Sequence, residues 1–131
     1  MFNINHIAIS VSNLKKSEDF YKLFGFKEKQ FYESEDKSFR IEKLEANGQV
    51  LELWNYTNHK KIPRTAMELY SDLPINGVKH FALGVSNIQK AKDFILKNKI
   101  NMPIDIKAGR LGKSYFFIND PDGILIEIIE N

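Results

Sequence analysis

Two histidines and two glutamates, His6 with Glu52 and His80 with Glu127, stand at matched places in a chain of 131 residues. Imidazole nitrogen and carboxylate oxygen together form a donor set for Ni²⁺, Co²⁺, Zn²⁺ or Mn²⁺. Four such ligands on a six-coordinate ion leave two positions for substrate oxygens, which is the catalytic form of a metal site. The chain has no cysteine, so a thiol nucleophile, a thiolate metal site and a disulfide framework are all excluded.

The matched places come from an internal repeat. Asn5-His6-Ile7-Ala8-Ile9-Ser10-Val11-Ser12-Asn13 aligns with Lys79-His80-Phe81-Ala82-Leu83-Gly84-Val85-Ser86-Asn87, and the likeness runs on to Asp19-Phe20 and Asp93-Phe94. The interval from histidine to glutamate differs by one residue between the halves. A lone histidine in a strand is usually hydrogen-bonded or half-exposed, and a lone glutamate between aromatics can simply reach solvent. Recurrence of both at repeated positions favours the metal reading.

The elements that must position these residues are legible from periodicity. Ile4 to Val11 alternates as a strand, and Ser12-Asn13 offers an N-cap to a helix carrying Leu14, Ser17, Phe20, Tyr21 and Phe24 on one face, with Gly25 as its stop. Strand-like runs follow at about Phe26 to Ser34, Lys37 to Glu45 and Gln49 to Tyr56, joined by Glu35-Asp36 and Asn47-Gly48 turns. The second half repeats the order: a strand from Lys79 to Val85, an Asn87 cap and a helix to about Asn98. Strands are then expected near Pro103 to Lys107, Ser114 to Asn119 and Ile124 to Ile129, the last after the turn Asp120-Pro121-Asp122-Gly123. The chain therefore reads as α+β, two tandem βαβββ modules at about 3–57 and 78–131 with a linker at about 58–77. Within the linker, Thr65 to Tyr70 suits either a helical turn or a loop.

Alternation places His6 with Ala8 and Ser10, and His80 with Ala82 and Gly84, opposite the larger Ile7, Ile9, Val11 and Phe81, Leu83, Val85. A histidine followed by small residues, twice, leaves room above a sheet for a pocket. Glu127 stands out in Ile124-Leu125-Ile126-Glu127-Ile128-Ile129, where an ionised carboxylate must be paired, coordinated or shifted in pKa. Glu52 shares its face with Val50, Trp54 and Tyr56.

Weaker candidates surround this quartet. Trp54, Tyr56 and Phe117 are candidate pocket residues, with a place in the core as the competing reading. Arg40, Arg110 and Lys113 are candidate anchors for an anionic substrate tail, against a default of solvated loop and surface. His59 has no counterpart in the repeat and reads as a surface histidine.

A hydrophobic fraction of 43% with 27% charged residues is that of a globular protein. The formal charge of +2, with lysines interspersed among acids, argues against a nucleic-acid partner. No apolar run approaches the roughly 18 residues of a membrane span, and the polar start Met1-Phe2-Asn3-Ile4-Asn5 lacks a signal-peptide core. A cytoplasmic protein acting on a small molecule is the expectation.

His6 in its strand, Phe20-Tyr21 ahead of Leu23-Phe24-Gly25-Phe26, Leu51-Glu52-Leu53, His80 and Asp120-Pro121-Asp122-Gly123-Ile124-Leu125-Ile126-Glu127 together resemble the vicinal oxygen chelate superfamily. That superfamily includes glyoxalase I, methylmalonyl-CoA epimerase, fosfomycin-modifying enzymes, extradiol dioxygenases and bleomycin-binding proteins. The resemblance spans 1–131 as one domain and implies a curved, mostly antiparallel sheet with a metal site in its concave face. It implies metal ligation by His6, Glu52, His80 and Glu127, as in glyoxalase I, and a homodimer as a common assembly, with the site formed either within one chain or across the dimer.

The activity implied by glutamate at both positions is glyoxalase I-like: proton transfer through a metal-bound enediolate on a small oxygenated substrate such as a thiol hemithioacetal. Glu127 is then the expected base, and Glu52 the second acid/base candidate. Where many glutathione-dependent members carry an arginine in the first strand, this chain has Ser10. The stretch from Glu52 to His80 is also longer than in compact bacterial glyoxalase I. Three further activities stay open on the same scaffold: a thiol transferase, an Fe(II) dioxygenase and a non-catalytic drug- or metabolite-binding protein.

Overall fold

The computed structural model describes residues 1–101 and 103–131. The chain divides into two compact units, Met1–Lys61 and Ile62–Asn131.

In the first unit, β1 (Ile7–Ser10), α1 (Leu14–Lys22), β2 (Lys27–Glu33), β3 (Phe39–Ala46) and β4 (Gln49–Tyr56) follow one another in the expected order. The Asn13 side chain caps α1 by accepting from the Lys16 amide at 2.9 Å. The helix stops at Leu23, and the chain reverses through Gly25 at φ +89, a conformation that costs glycine little. Asn47 and Gly48, both at positive φ, close the β3–β4 hairpin as that dipeptide predicts. Strand β3 begins later than periodicity suggests because Lys37 adopts φ +56 and the Asp36 carboxylate accepts from the Ser38 amide and the Ser34 hydroxyl. These bonds hold Ser34 to Ser38 in a turn.

The sheet order is β1-β4-β3-β2. β1 runs parallel to β4, with Ala8 beside Glu52 and Ser10 beside Trp54. β3 is antiparallel to β4 and sets Lys43 opposite Glu52, Ile41 opposite Trp54 and Phe39 opposite Tyr56. Because side chains alternate across a sheet, one face carries Ala8, Glu52, Trp54, Tyr56, Lys43, Ile41 and Phe39. The opposite face carries Leu44, Leu51 and Leu53, all buried together with Tyr21 of α1. Burial of this leucine cluster and Tyr21 is the apolar driving force that seats α1 on the sheet.

The second unit repeats the plan with β5 (Phe81–Val85), α3 (Ile88–Lys97), β6 (Lys107–Ala108), β7 (Ser114–Asn119) and β8 (Leu125–Glu130), in sheet order β5-β8-β7-β6. Asn87 caps α3 through the Lys90 amide at 2.8 Å. Ile88 and Ile95 of α3, with Phe116, Ile118, Ile126 and Ile128, fill this core. The strand expected near Pro103 to Lys107 is reduced to Lys107–Ala108, paired only to Tyr115 and Ser114. Pro103 has no N–H to give to a ladder. Before β8, the Asp120 carboxylate accepts from the Asp122 and Ile124 amides, both at 2.9 Å.

Residues 62–77, read from sequence as a linker, belong to the second unit. They form a 3₁₀ turn (Arg64–Met67) and α2 (Leu69–Asp72). The Asn119 side chain ties this segment down by donating to the Met67 carbonyl at 3.0 Å, and Lys79 pairs with Asp72 at 3.1 Å. Gly123 matches the segment closely, since a Cβ there would lie 2.9 Å from the Met67 side chain. Among the described residues no helix is long and apolar enough to cross a membrane.

Candidate metal centre

Each unit brings its histidine to its glutamate. His6 lies just ahead of β1, and its Nε2 is 3.9 Å from Glu52 Oε1. His80 lies just ahead of β5, and its Nε2 is 3.3 Å from Glu127 Oε2. The register is the same in both halves: Ala8 neighbours Glu52 as Ala82 neighbours Glu127.

The two half-sites differ in what surrounds the carboxylate. Glu52 is buried; its Oε1 accepts from the Trp54 indole N–H at 2.6 Å, and its Oε2 is 3.3 Å from Lys43 Nζ. Desolvation pushes the Glu52 pKa up, but the Trp54 hydrogen bond, Lys43 and His6 together outweigh it, and the group sits below the ordinary carboxylate range. Glu52 is therefore held as an anion. Glu127 has neither partner. Phe117 occupies the register position opposite Glu127 that Lys43 occupies opposite Glu52, and its ring meets His80 edge-on at 5.0 Å. Among the described residues, His80 makes the one ion-pair contact to Glu127.

The histidines differ as well. His6 Nδ1 lies 2.9 Å from the Asn5 side-chain oxygen, within hydrogen-bond reach, and its Nε2 faces Glu52. In the second unit Lys79 replaces Asn5, and His80 Nδ1 is buried without a hydrogen-bond partner among the described residues.

Each pair, taken by itself, fits a divalent cation. Two ligands about 2.1 Å from one ion, at right angles, stand about 3 Å apart, close to the His80–Glu127 spacing and somewhat inside the His6–Glu52 one. Glu52, held as an anion, is in ligand form already.

The weaker candidates separate. Trp54 hydrogen-bonds Glu52, and Phe117 flanks His80 and Glu127. Arg40 falls on the opposite face of its sheet from Glu52, level with Asn55, and bonds Glu33 at 2.6 Å, so the Glu52 face does not include it. Arg110 and Lys113 are exposed in the β6–β7 connection, where the Gly109 amide donates to the Lys113 carbonyl at 2.7 Å. His59 is exposed, as expected. Gly84, read as leaving space above the sheet, instead admits Asn131: a Cβ there would come 2.4 Å from its side chain.

Sequence reasoning missed Lys43, whose place at Glu52 depends on cross-strand register. It also missed a second acidic group on the helix side of the first sheet. Glu18 of α1, Glu28 of β2 and Glu42 of β3 converge there, with oxygens within 4.8 Å of one another. A signal existed: strand alternation puts Glu42 on the face of Leu44, where a carboxylate is out of place.

A family model described as the Glyoxalase/Bleomycin resistance protein/Dioxygenase superfamily matches residues 3–128. No curated protein matches significantly. Among solved structures, a glyoxalase family protein from Enterococcus faecalis is 26% identical over 98% of this chain and 97% of its own, with a TM-score of 0.80. The trypanothione-dependent glyoxalase I of Leishmania major is 24% identical over 99% and 87%, with a TM-score of 0.71. The genomically encoded fosfomycin resistance protein FosX of Listeria monocytogenes is 14% identical over 100% and 94%, with a TM-score of 0.71. The last two likenesses are likenesses of fold.

Proposed function

The chain belongs to the glyoxalase/bleomycin resistance/dioxygenase superfamily, and on that premise we propose that it is a metal-dependent lyase or isomerase that moves a proton between adjacent carbons of a small oxygenated substrate, of which a thiol hemithioacetal is the leading example. The observation that carries this reading is the unequal engagement of the two glutamates. Glu52, tied by Trp54 and Lys43 and held anionic, suits a permanent ligand. Glu127, in contact with His80 alone among the described charged groups, suits a base that moves.

His6, Glu52, His80 and Glu127 would hold the ion, each pair supplying one nitrogen and one oxygen. When bound, a divalent ion supplies Lewis-acid stabilisation of the negative charge that develops on the substrate's vicinal oxygens. Glu127 takes the proton from the hydroxyl-bearing carbon and returns it to the neighbouring carbon, so substrate and product are isomers and no oxidant is consumed. Phe117, packed edge-on to His80 and opposite Glu127 in register, sets an apolar ring beside the base.

Metal stoichiometry tests the site. After loading with Ni²⁺, Co²⁺, Zn²⁺ or Mn²⁺, the wild-type protein is expected to retain about one ion per chain, and the His6→Ala/His80→Ala double variant none. A folded wild-type protein that retains no ion ends the lyase reading and leaves a ligand-binding protein as the better account.

Lys43 gives a second, directional test. Its ammonium competes with an incoming cation for Glu52, so Lys43→Met is expected to tighten metal binding roughly five- to ten-fold by calorimetry. Weaker binding in that variant would mean that Lys43 supports the site.

A further inference from the structure

The face that presents Glu52 also presents an aromatic platform. Phe39 and Trp54 stack at 5.7 Å with planes 20° apart, Phe39 and Tyr56 at 5.2 Å and 25°, and Trp54 and Tyr56 lie 6.4 Å apart at 11°. Tyr32 extends the group at 5.9 Å from Phe39. None of these rings belongs to the buried core, which is on the other side of the sheet in Leu44, Leu51 and Leu53. Tyr56 is 44% exposed and Tyr32 52%, and the adjoining β1 positions on this face, Ala8 and Ser10, are small and exposed.

Cross-strand aromatic pairs stabilise sheets, and that accounts for the Phe39–Tyr56 contact. It does not require three nearly parallel rings left partly open to solvent at the edge of a charged pair. The platform also has a fixed orientation. The indole N–H of Trp54 is bound to Glu52 at 2.6 Å, so the array of rings starts at the carboxylate itself, with Lys43 beside it.

We propose that the substrate carries a flat aryl or heteroaryl group joined directly to its oxygenated carbons, the oxygens lying at Glu52 and Lys43 and the ring continuing the Trp54–Phe39–Tyr56 stack. The inference rests on the reading of Glu52 as part of the reacting site, and it adds the substrate class to that reading. Its basis is geometric: the indole N–H reaches Glu52 at 2.6 Å, so a group attached to an oxygen held at Glu52 has these rings as its adjoining apolar surface, where a planar group stacks in offset register and a methyl group covers little. The negative faces of the rings disfavour a second anion along the platform, so the distal part of the substrate is uncharged or cationic.

The test uses a matched pair of neutral probes, 2-hydroxyacetophenone and hydroxyacetone, which share a hydroxyl beside a ketone and differ as phenyl and methyl. Trp54 is the chain's one tryptophan, so its indole N–H gives the one indole cross-peak in a ¹H–¹⁵N spectrum of this 131-residue chain without added metal. The phenyl compound is expected to shift that peak with at least ten-fold tighter binding than hydroxyacetone. Tyr56→Ala is expected to weaken the phenyl compound far more than hydroxyacetone and so to remove most of the preference. Equal affinities for the two probes, or a preference undiminished in Tyr56→Ala, overturns the proposal. An aryl preference in a protein that retains no metal supports the platform and counts against the lyase reading; one ion per chain without an aryl preference overturns the platform alone.

Discussion

Glu127→Gln is expected to lower turnover by at least about 10²-fold while metal stays bound at close to wild-type stoichiometry. The amide is nearly isosteric with the carboxylate and keeps an oxygen for the ion and for the contact with His80, now 3.3 Å from Glu127 Oε2. It cannot accept a proton from carbon. Thioester formation from a series of thiol hemithioacetals, followed by absorbance, measures the loss, and metal content of the same samples shows that the site survives. Glu52→Gln is the matching control. It leaves a neutral group between Trp54 and Lys43, where an anion now sits, so it should act first through metal affinity. Undiminished turnover in Glu127→Gln would falsify its role as the base.

A second large effect is expected on the opposite face of the first sheet from Glu52. Glu42 is buried, 4% exposed, and its carboxyl group lies against those of Glu18 and Glu28. Burial pushes its carboxyl pKa up, the neighbouring Glu18 and Glu28 carboxylates push it further, and Lys22 and Lys15 offset part of this, leaving it at about 7 against an ordinary 4.5. Between those two values the folded chain holds more protons than the unfolded chain. The unfolding free energy therefore falls as pH rises from about 4.5 and levels off above about 7. Each pKa unit of difference corresponds to about 1.4 kcal/mol, so the full loss is roughly 3 kcal/mol.

Glu42→Gln removes this titration and keeps the shape. Urea unfolding should find the two proteins similar near pH 5 and the variant more stable near pH 8 by roughly 2–3 kcal/mol. Comparing the variant with the wild type at each pH cancels the contribution of the three histidines. A difference that does not grow between pH 5 and pH 8 would show that Glu42 does not carry the raised pKa.

Much of this molecule is written locally in its chain. The repeat, the βαβββ order, the Asn13 and Asn87 caps and the Asn47-Gly48 hairpin depend on side-chain periodicity and on bonds between residues a few positions apart, so they are legible without a partner strand. The pairing of His6 with Glu52 and of His80 with Glu127 was legible for a related reason. A duplicated unit repeats its register, so matched spacing implies matched geometry.

Tertiary structure alone decided which residues lie beside those pairs. Lys43 meets Glu52 because β3 pairs with β4 in one register, and Phe117 meets Glu127 through the corresponding register of β7 and β8. Cross-strand neighbours follow from how two distant segments slide against one another, and a slip of one residue would exchange Lys43 for Glu42 on the open face. The same alignment sends Arg40 to the far side, gathers Glu18, Glu28 and Glu42 from three elements, and aligns Phe39 with Tyr56. Residues 62–77 read as a linker because no periodic pattern marks them; they are drawn into the second unit by the Asn119 side chain on the Met67 carbonyl and by the Lys79–Asp72 pair, contacts that exist only once the chain has folded.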